Sequence, residues 1–113
     1  MTPSASSPGL GELECLVMLA VMQLGEECYS VPIRKEITKR TGRKVSPGAV
    51  YVALQRLVEK GFLKTWLGQP TGERGGKARR HFRATRQGVT AVRGFTTAVS
   101  SMARGLDEAL QHS

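Results

Sequence analysis

Residues 46–61 read SPGAVYVALQRLVEKG. Ser46 offers a side-chain oxygen to the unpaired N–H groups at a helix start, and Pro47 suits a first-turn position where no N–H is needed. Gly61 follows Lys60 as a terminator. Between these marks Val50, Leu54, Leu57 and Val58 recur at spacings of four, three and one, so one face of the predicted helix is core. The other face carries Gly48, Tyr51, Val52, Gln55 and Arg56. An aromatic ring, an amide and a guanidinium together are a mix that burial does not require.

Upstream, Leu10 to Leu24 reads as a helix with Leu13, Leu16, Val17, Ala20 and Leu24 on one face. Met18, Leu19, Val21 and Met22 extend the apolar surface nearly all round, so this helix needs cover on two sides. Gly25 suits its stop. A second, short helix starts with Ser30 or Val31 as cap and Pro32 in its first turn. It buries Val31, Ile33 and Ile37, shows Arg34, Lys35, Lys39 and Arg40 outside, and ends at Gly42. Downstream of Gly61 the period changes to two. Leu63, Thr65 and Leu67 alternate with Lys64 and Trp66, and Phe82 and Ala84 with His81 and Arg83, which predicts two strands. The intervening QPTGERGGKA puts Arg74 and Lys77 at a hairpin tip, with Arg79 and Arg80 entering the second strand. Thr85 can cap a final helix in which Val92, Phe95, Val99, Met102, Leu106 and Ala109 repeat at three and four, a heptad seam that calls for a partner.

The chain has 113 residues, 40% of them apolar and 5% aromatic, enough for one aliphatic core and too few for a second domain. Its net charge of +8 is unevenly spread. Residues 1–30 carry −4, residues 31–86 carry +12, and the remainder is neutral. The charge lies inside the folded middle and not on a tail, which points to a polyanionic partner. Cys15 to Val21 with Met22 is the longest apolar run, eight residues against the roughly 18 a membrane span needs. The opening MTPSASSPG has no basic n-region or apolar stretch and reads as a flexible arm over residues 1–9. Cys15, Cys28, His81 and His112 have no metal-ligand spacing, and two cysteines make no disulfide framework. No cofactor or metal is expected, and a cytoplasmic location is. TGERGG lacks the spacing of a phosphate loop, and no nucleophile has a histidine and acid in train, so catalysis is excluded.

Three helices followed at once by a basic-tipped hairpin is the element order of a winged helix-turn-helix: a mainly α (α+β) fold with a two-stranded wing and a long C-terminal dimerisation helix. The third helix would enter a DNA major groove and the wing would reach phosphates or the minor groove. Candidate DNA contacts are Arg34, Arg43, Lys44, Ser46, Gly48, Gln55, Arg56, Arg74, Lys77, Arg79 and Arg80. Tyr51 can finish the core, and Arg56 can also bridge Glu59 or Glu36. Domain bounds are expected at 10–85 for the DNA-binding unit and 86–113 for the dimerisation helix.

LGELECLVMLAVMQLGEECYSVPIRKEI, VSPGAVYVALQRLVEKGFLKTWLG and ERGGKARRHFRATRQG resemble the PadR-type transcriptional regulators over about Leu10 to Gly88. The resemblance implies a homodimeric winged-helix regulator, commonly a repressor, on an inverted-repeat operator. It carries DNA contact to Ser46, Pro47, Gly48 and Tyr51, backbone contact to Arg56, and the wing to Arg74 through Arg80. It also implies dimer contacts from the last helix with help from the first: Leu13, Val17, Met18, Val21, Met22, Val92, Phe95, Val99, Met102 and Leu106. Trp66, Met18 and Phe95 are candidate contacts for a small-molecule effector. The alternative is a non-regulatory basic module, an RNA-binding winged helix or an architectural DNA-binding protein, which needs no dimer.

Overall fold

The computed structural model describes residues 9–25, 28–68 and 79–111. Three helices, α1 (Glu12–Leu24), α2 (Ser30–Thr41) and α3 (Pro47–Glu59), precede strands β1 (Leu63–Leu67) and β2 (Arg80–Ala84), and α4 (Arg86–Ala103) and α5 (Asp107–Gln111) follow. The strands pair antiparallel with Thr65 opposite Phe82 and Trp66 opposite His81. The sequence signals for α3 operate as read: Ser46 Oγ accepts from Ala49 N at 3.1 Å and Pro47 is the first helical residue. Helix α2 begins one residue earlier than its cap assignment, with Tyr29 as N-cap, and ends at Gly42 in the left-handed conformation.

The core is one cluster in which Val17, Met18, Ala20 and Val21 of α1 meet Ile33 and Ile37 of α2, Val50, Ala53, Leu54 and Leu57 of α3, Leu63 and Phe82 of the wing, and Val92 of α4. Four interface assignments are corrected here: Val17, Met18, Val21 and Val92 have almost no exposed surface within one protomer and fill its own core. Met18, also an effector candidate, is enclosed with them. The two-sided apolar surface of α1 is covered largely by its own chain, with α4 folding back on it. Leu13 stays half-buried and Met22 exposed.

A single final helix running through Ala109 is also corrected. Helix α4 stops at Ala103, and Gly105 takes φ 89° before the short α5. Arg104 as C-cap and a glycine in the left-handed region break the helix, so Leu106 falls between helices and the heptad ends at Met102. The two halves of α4 differ. Gly88 and Val92 are buried in the core, whereas Val99 and Met102 are 55% and 81% exposed.

The joint between α4 and the rest is tight. Thr85 N donates to Phe62 O (3.0 Å), Thr85 Oγ donates to Gly61 O (2.7 Å), and the same hydroxyl caps α4 by accepting from Gly88 N at 3.0 Å. A side chain at Gly88 would place Cβ 2.2 Å from Phe62 O, so only glycine permits this approach.

Candidate nucleic-acid interface

Helix α3 buries Val50, Ala53, Leu54 and Leu57 and thereby turns a second face outward. Ser46, Pro47, Gly48, Tyr51 and Gln55 are all exposed there. Gly48, Tyr51 and Gln55 follow at three and four, so they share one stripe. Tyr51 is 60% exposed, so its ring does not complete the core. Its hydroxyl accepts a 2.8 Å hydrogen bond from Gln55 Nε2. At the helix start a Cβ on Gly48 would meet nothing within 4 Å, and the capped N-terminus favours an anion.

Two cationic surfaces flank this stripe. On the α2 side, Arg34, Lys35, Lys39 and Lys44 with Thr38 and Val45 line an open depression of about 500 Å³. Lys44 and Val45 lead directly into Ser46, so the depression adjoins the start of α3. On the wing side a smaller hollow of about 220 Å³ is lined by Tyr51, Leu54, Gln55, Arg80 and Phe82. It brings the root of β2 beside the stripe. Arg79 reaches over the Tyr29 ring, 4.7 Å from its centroid, and donates to Tyr29 Oη at 3.0 Å. Arg74 and Lys77 lie outside the described residues.

Two candidates sit differently from expectation. Arg43 pairs with Glu12 at 3.2 Å, which ties the turn before α3 to the start of α1. Arg56 bridges neither Glu59 nor Glu36, since Glu36 pairs with Arg40 one turn along α2. With Leu13, Glu14, Val52 and Lys60 it lines a separate depression between α1 and α3, so it is grouped away from Tyr51 and Gln55. Sequence reading missed what organises that corner. Glu14 is 7% exposed and accepts 2.7 Å and 2.8 Å bonds from Lys60 Nζ and Gly11 N. Burial pushes its carboxyl up, but these bonds and the charges of Lys60 and Arg56 outweigh it and hold the group below its usual range. An i to i+46 pair leaves no local sequence signal.

Trp66 packs parallel to His81, ring centroids 5.8 Å apart, with Tyr29 edge-on to His81 and Arg83 over Trp66 at 5.8 Å. The result is an outward ladder of rings and guanidinia, with Trp66 42% exposed. Phe95 lies half-buried on α4. Burial pushes the Cys28 thiol up to about 11 and also raises Cys15, so both stay protonated thiols at neutral pH. Among the described residues no three His, Cys, Asp or Glu side chains are grouped to hold a metal, and no helix is long and apolar enough to cross a membrane.

Comparison with known structures agrees with this architecture. A PadR family transcription regulator from Clostridium difficile R20291 matches with a TM-score of 0.73 at 20% identity, over 88% of this chain and 99% of that one. A PadR family regulator from Eggerthella lenta matches at 0.65 and 25% identity, over 90% and 88%. The Bacillus subtilis PadR solved in complex with operator DNA matches at 0.64 and 15% identity, over 74% of this chain and 46% of that one. No curated protein matches. The family model of PadR-like transcriptional regulators matches residues 18–93, which runs from the middle of α1 through α2, α3 and both strands into α4. The chain belongs to the PadR-like family of transcriptional regulators.

Proposed function

We propose that the protein is a homodimeric repressor that binds a pseudo-palindromic operator through α3 of each protomer. The observation that carries this reading is the exposed Ser46–Gln55 stripe between two cationic surfaces, one from α2 and one from the root of the wing. A helix of that kind fits the major groove, with Arg34, Lys35, Lys39 and Lys44 on the phosphates of one side and Arg79 and Arg80 on those of the other. Arg74 and Lys77, outside the described residues, are assigned to phosphate contact as well.

Dimerisation rests on the outer half of α4. Val99 and Met102, then Leu106 and Leu110, expose apolar surface at 50% or more, a run that a soluble protomer covers by pairing. Leu13, Met22 and Phe95 are assigned to the same interface, and the segment from residue 86 onward serves as the dimerisation unit. Two α3 helices about one turn (~34 Å) apart would then read successive major grooves. The Trp66 ladder, with Phe95, is the surface assigned to a small-molecule effector that releases DNA.

Sedimentation combined with a salt series tests this reading. A dimer at micromolar concentration whose affinity falls about 10³- to 10⁵-fold between 50 and 200 mM salt fits contact with roughly six to ten phosphates. A monomer would favour a basic module that needs no dimer, and an affinity insensitive to salt would overturn the phosphate contacts.

A further inference from the structure

We propose that Gln55 reads an adenine in the major groove of each half-site, with Tyr51 as the positioning residue that fixes its amide. This rests on the operator-binding reading above and adds to it the base that the helix selects. Gln55 is exposed on α3 and its Nε2 donates to Tyr51 Oη at 2.8 Å, one helical turn back. An amide nitrogen has two N–H groups. One is spent on Tyr51, and the other stays beside the Oε1 acceptor. A donor next to an acceptor matches one base edge in the major groove, that of adenine, whose N7 accepts and whose N6 amino group donates. Guanine offers acceptors at both N7 and O6, thymine an acceptor and a methyl group, and cytosine a donor alone.

The surroundings place that amide within reach of a base. Gly48 lies one stripe position before Tyr51, and its missing side chain leaves the backbone open for close approach at the start of α3. Arg80 shares a hollow with Tyr51 and Gln55, so a phosphate contact stands beside the reader and sets the depth of the helix. Tyr51 gives up its oxygen lone pair to Gln55 and keeps its own proton as a donor to the DNA backbone. The tyrosine thus ties the amide to the phosphate frame, and free rotation of Gln55 is restricted before binding.

The test is selection of bound duplexes from a randomised pool by the full chain and by Gln55→Arg, Gln55→Ala and Tyr51→Phe, with thermal melts as the folding control. Gln and Arg are both good helix formers, and the site is exposed. The wild type should select an adenine at one symmetric position per half-site. Gln55→Arg should change that position to guanine and leave the others alone. Gln55→Ala should lose about 5- to 150-fold of discrimination there. Tyr51→Phe should keep adenine preferred but by a smaller factor, a change at one base that a merely structural role would not produce. A shared sequence whose preferences are the same in wild type, Gln55→Arg and Gln55→Ala would overturn the assignment of Gln55 while leaving operator reading intact. Enrichment of no sequence at all would overturn both.

Discussion

Replacing Gly88 with alanine should destabilise the protein, although alanine is the better helix former by about 1 kcal/mol. The added Cβ would sit 2.2 Å from Phe62 O and 2.7 Å from Met18 Cε. The methionine end can move aside, but the carbonyl is backbone in the turn that joins α3 to β1. Restoring van der Waals distance requires α4 to shift by about 1 Å, and the bonds from Thr85 to Gly61 O and Phe62 O are the ones that stretch. Two hydrogen bonds at about 1 kcal/mol each and ~1–3 kcal/mol of overpacking exceed the propensity gain, leaving a net loss of about 2–4 kcal/mol. At fixed protomer concentration Tm should fall by roughly 10–20 °C. The control lies on the same helix, where a Cβ at Gly94 meets nothing within 4 Å. Gly94→Ala should therefore raise Tm by a few degrees, on the order of 0.5–1 kcal/mol. Calorimetric scans of the three proteins decide it. A Gly88→Ala protein as stable as wild type would refute the close approach of α4 to this turn.

Glu14→Gln removes a buried charge whose carboxyl lies below its ordinary value of 4.5. A depressed carboxylate stabilises the fold above its unfolded pKa and loses that effect as pH falls through its folded pKa. The variant should thus be weaker by ~1–2 kcal/mol near pH 7, and the gap in urea midpoints should close as pH drops from about 5 to below 4. A gap that is independent of pH would remove the electrostatic explanation. Ser46→Ala should cost about 1 kcal/mol through the lost bond to Ala49 N, read by urea unfolding. Both cysteines are buried and raised, so iodoacetamide should label neither until denaturant is added. Rapid native labelling of Cys28 would contradict its enclosure. Met102→Ser with Val99→Ser should shift the sedimentation coefficient to that of a monomer while the far-ultraviolet spectrum is kept, and an unchanged dimer would move the interface off α4.

Local signals in the sequence carried most of this fold. Ser46, Gly42 and Thr85 each cap or stop a helix through a bond to a residue within four of themselves, and Pro47 opens α3. The period-two runs gave both strands, because one face of the hairpin alone is buried through Leu63 and Phe82. The exposed stripe of α3 was legible for a related reason: Tyr51 and Gln55 sit where the helical repeat leaves no need for burial. What failed to show was non-local. An apolar α1 is equally suited to a partner subunit or to its own α4, and periodicity cannot say which side Val17, Met18 and Val21 meet. The heptad reading ran past Gly105, whose left-handed conformation ends the helix. Arg56 shared a helical face with Tyr51 on paper, yet it stands beside Glu14, a neighbour supplied by α1 packing.

The proposed complex puts α3 in the major groove of two half-sites held one turn apart. Methylation interference on a selected operator tests it directly, because dimethyl sulfate modifies guanine N7 in the major groove and adenine N3 in the minor groove. Modified guanines should block binding in two clusters whose centres are about 10 base pairs apart, related by the operator's dyad. Interference at adenine N3 alone, or a single cluster without a symmetric mate, would exclude that geometry.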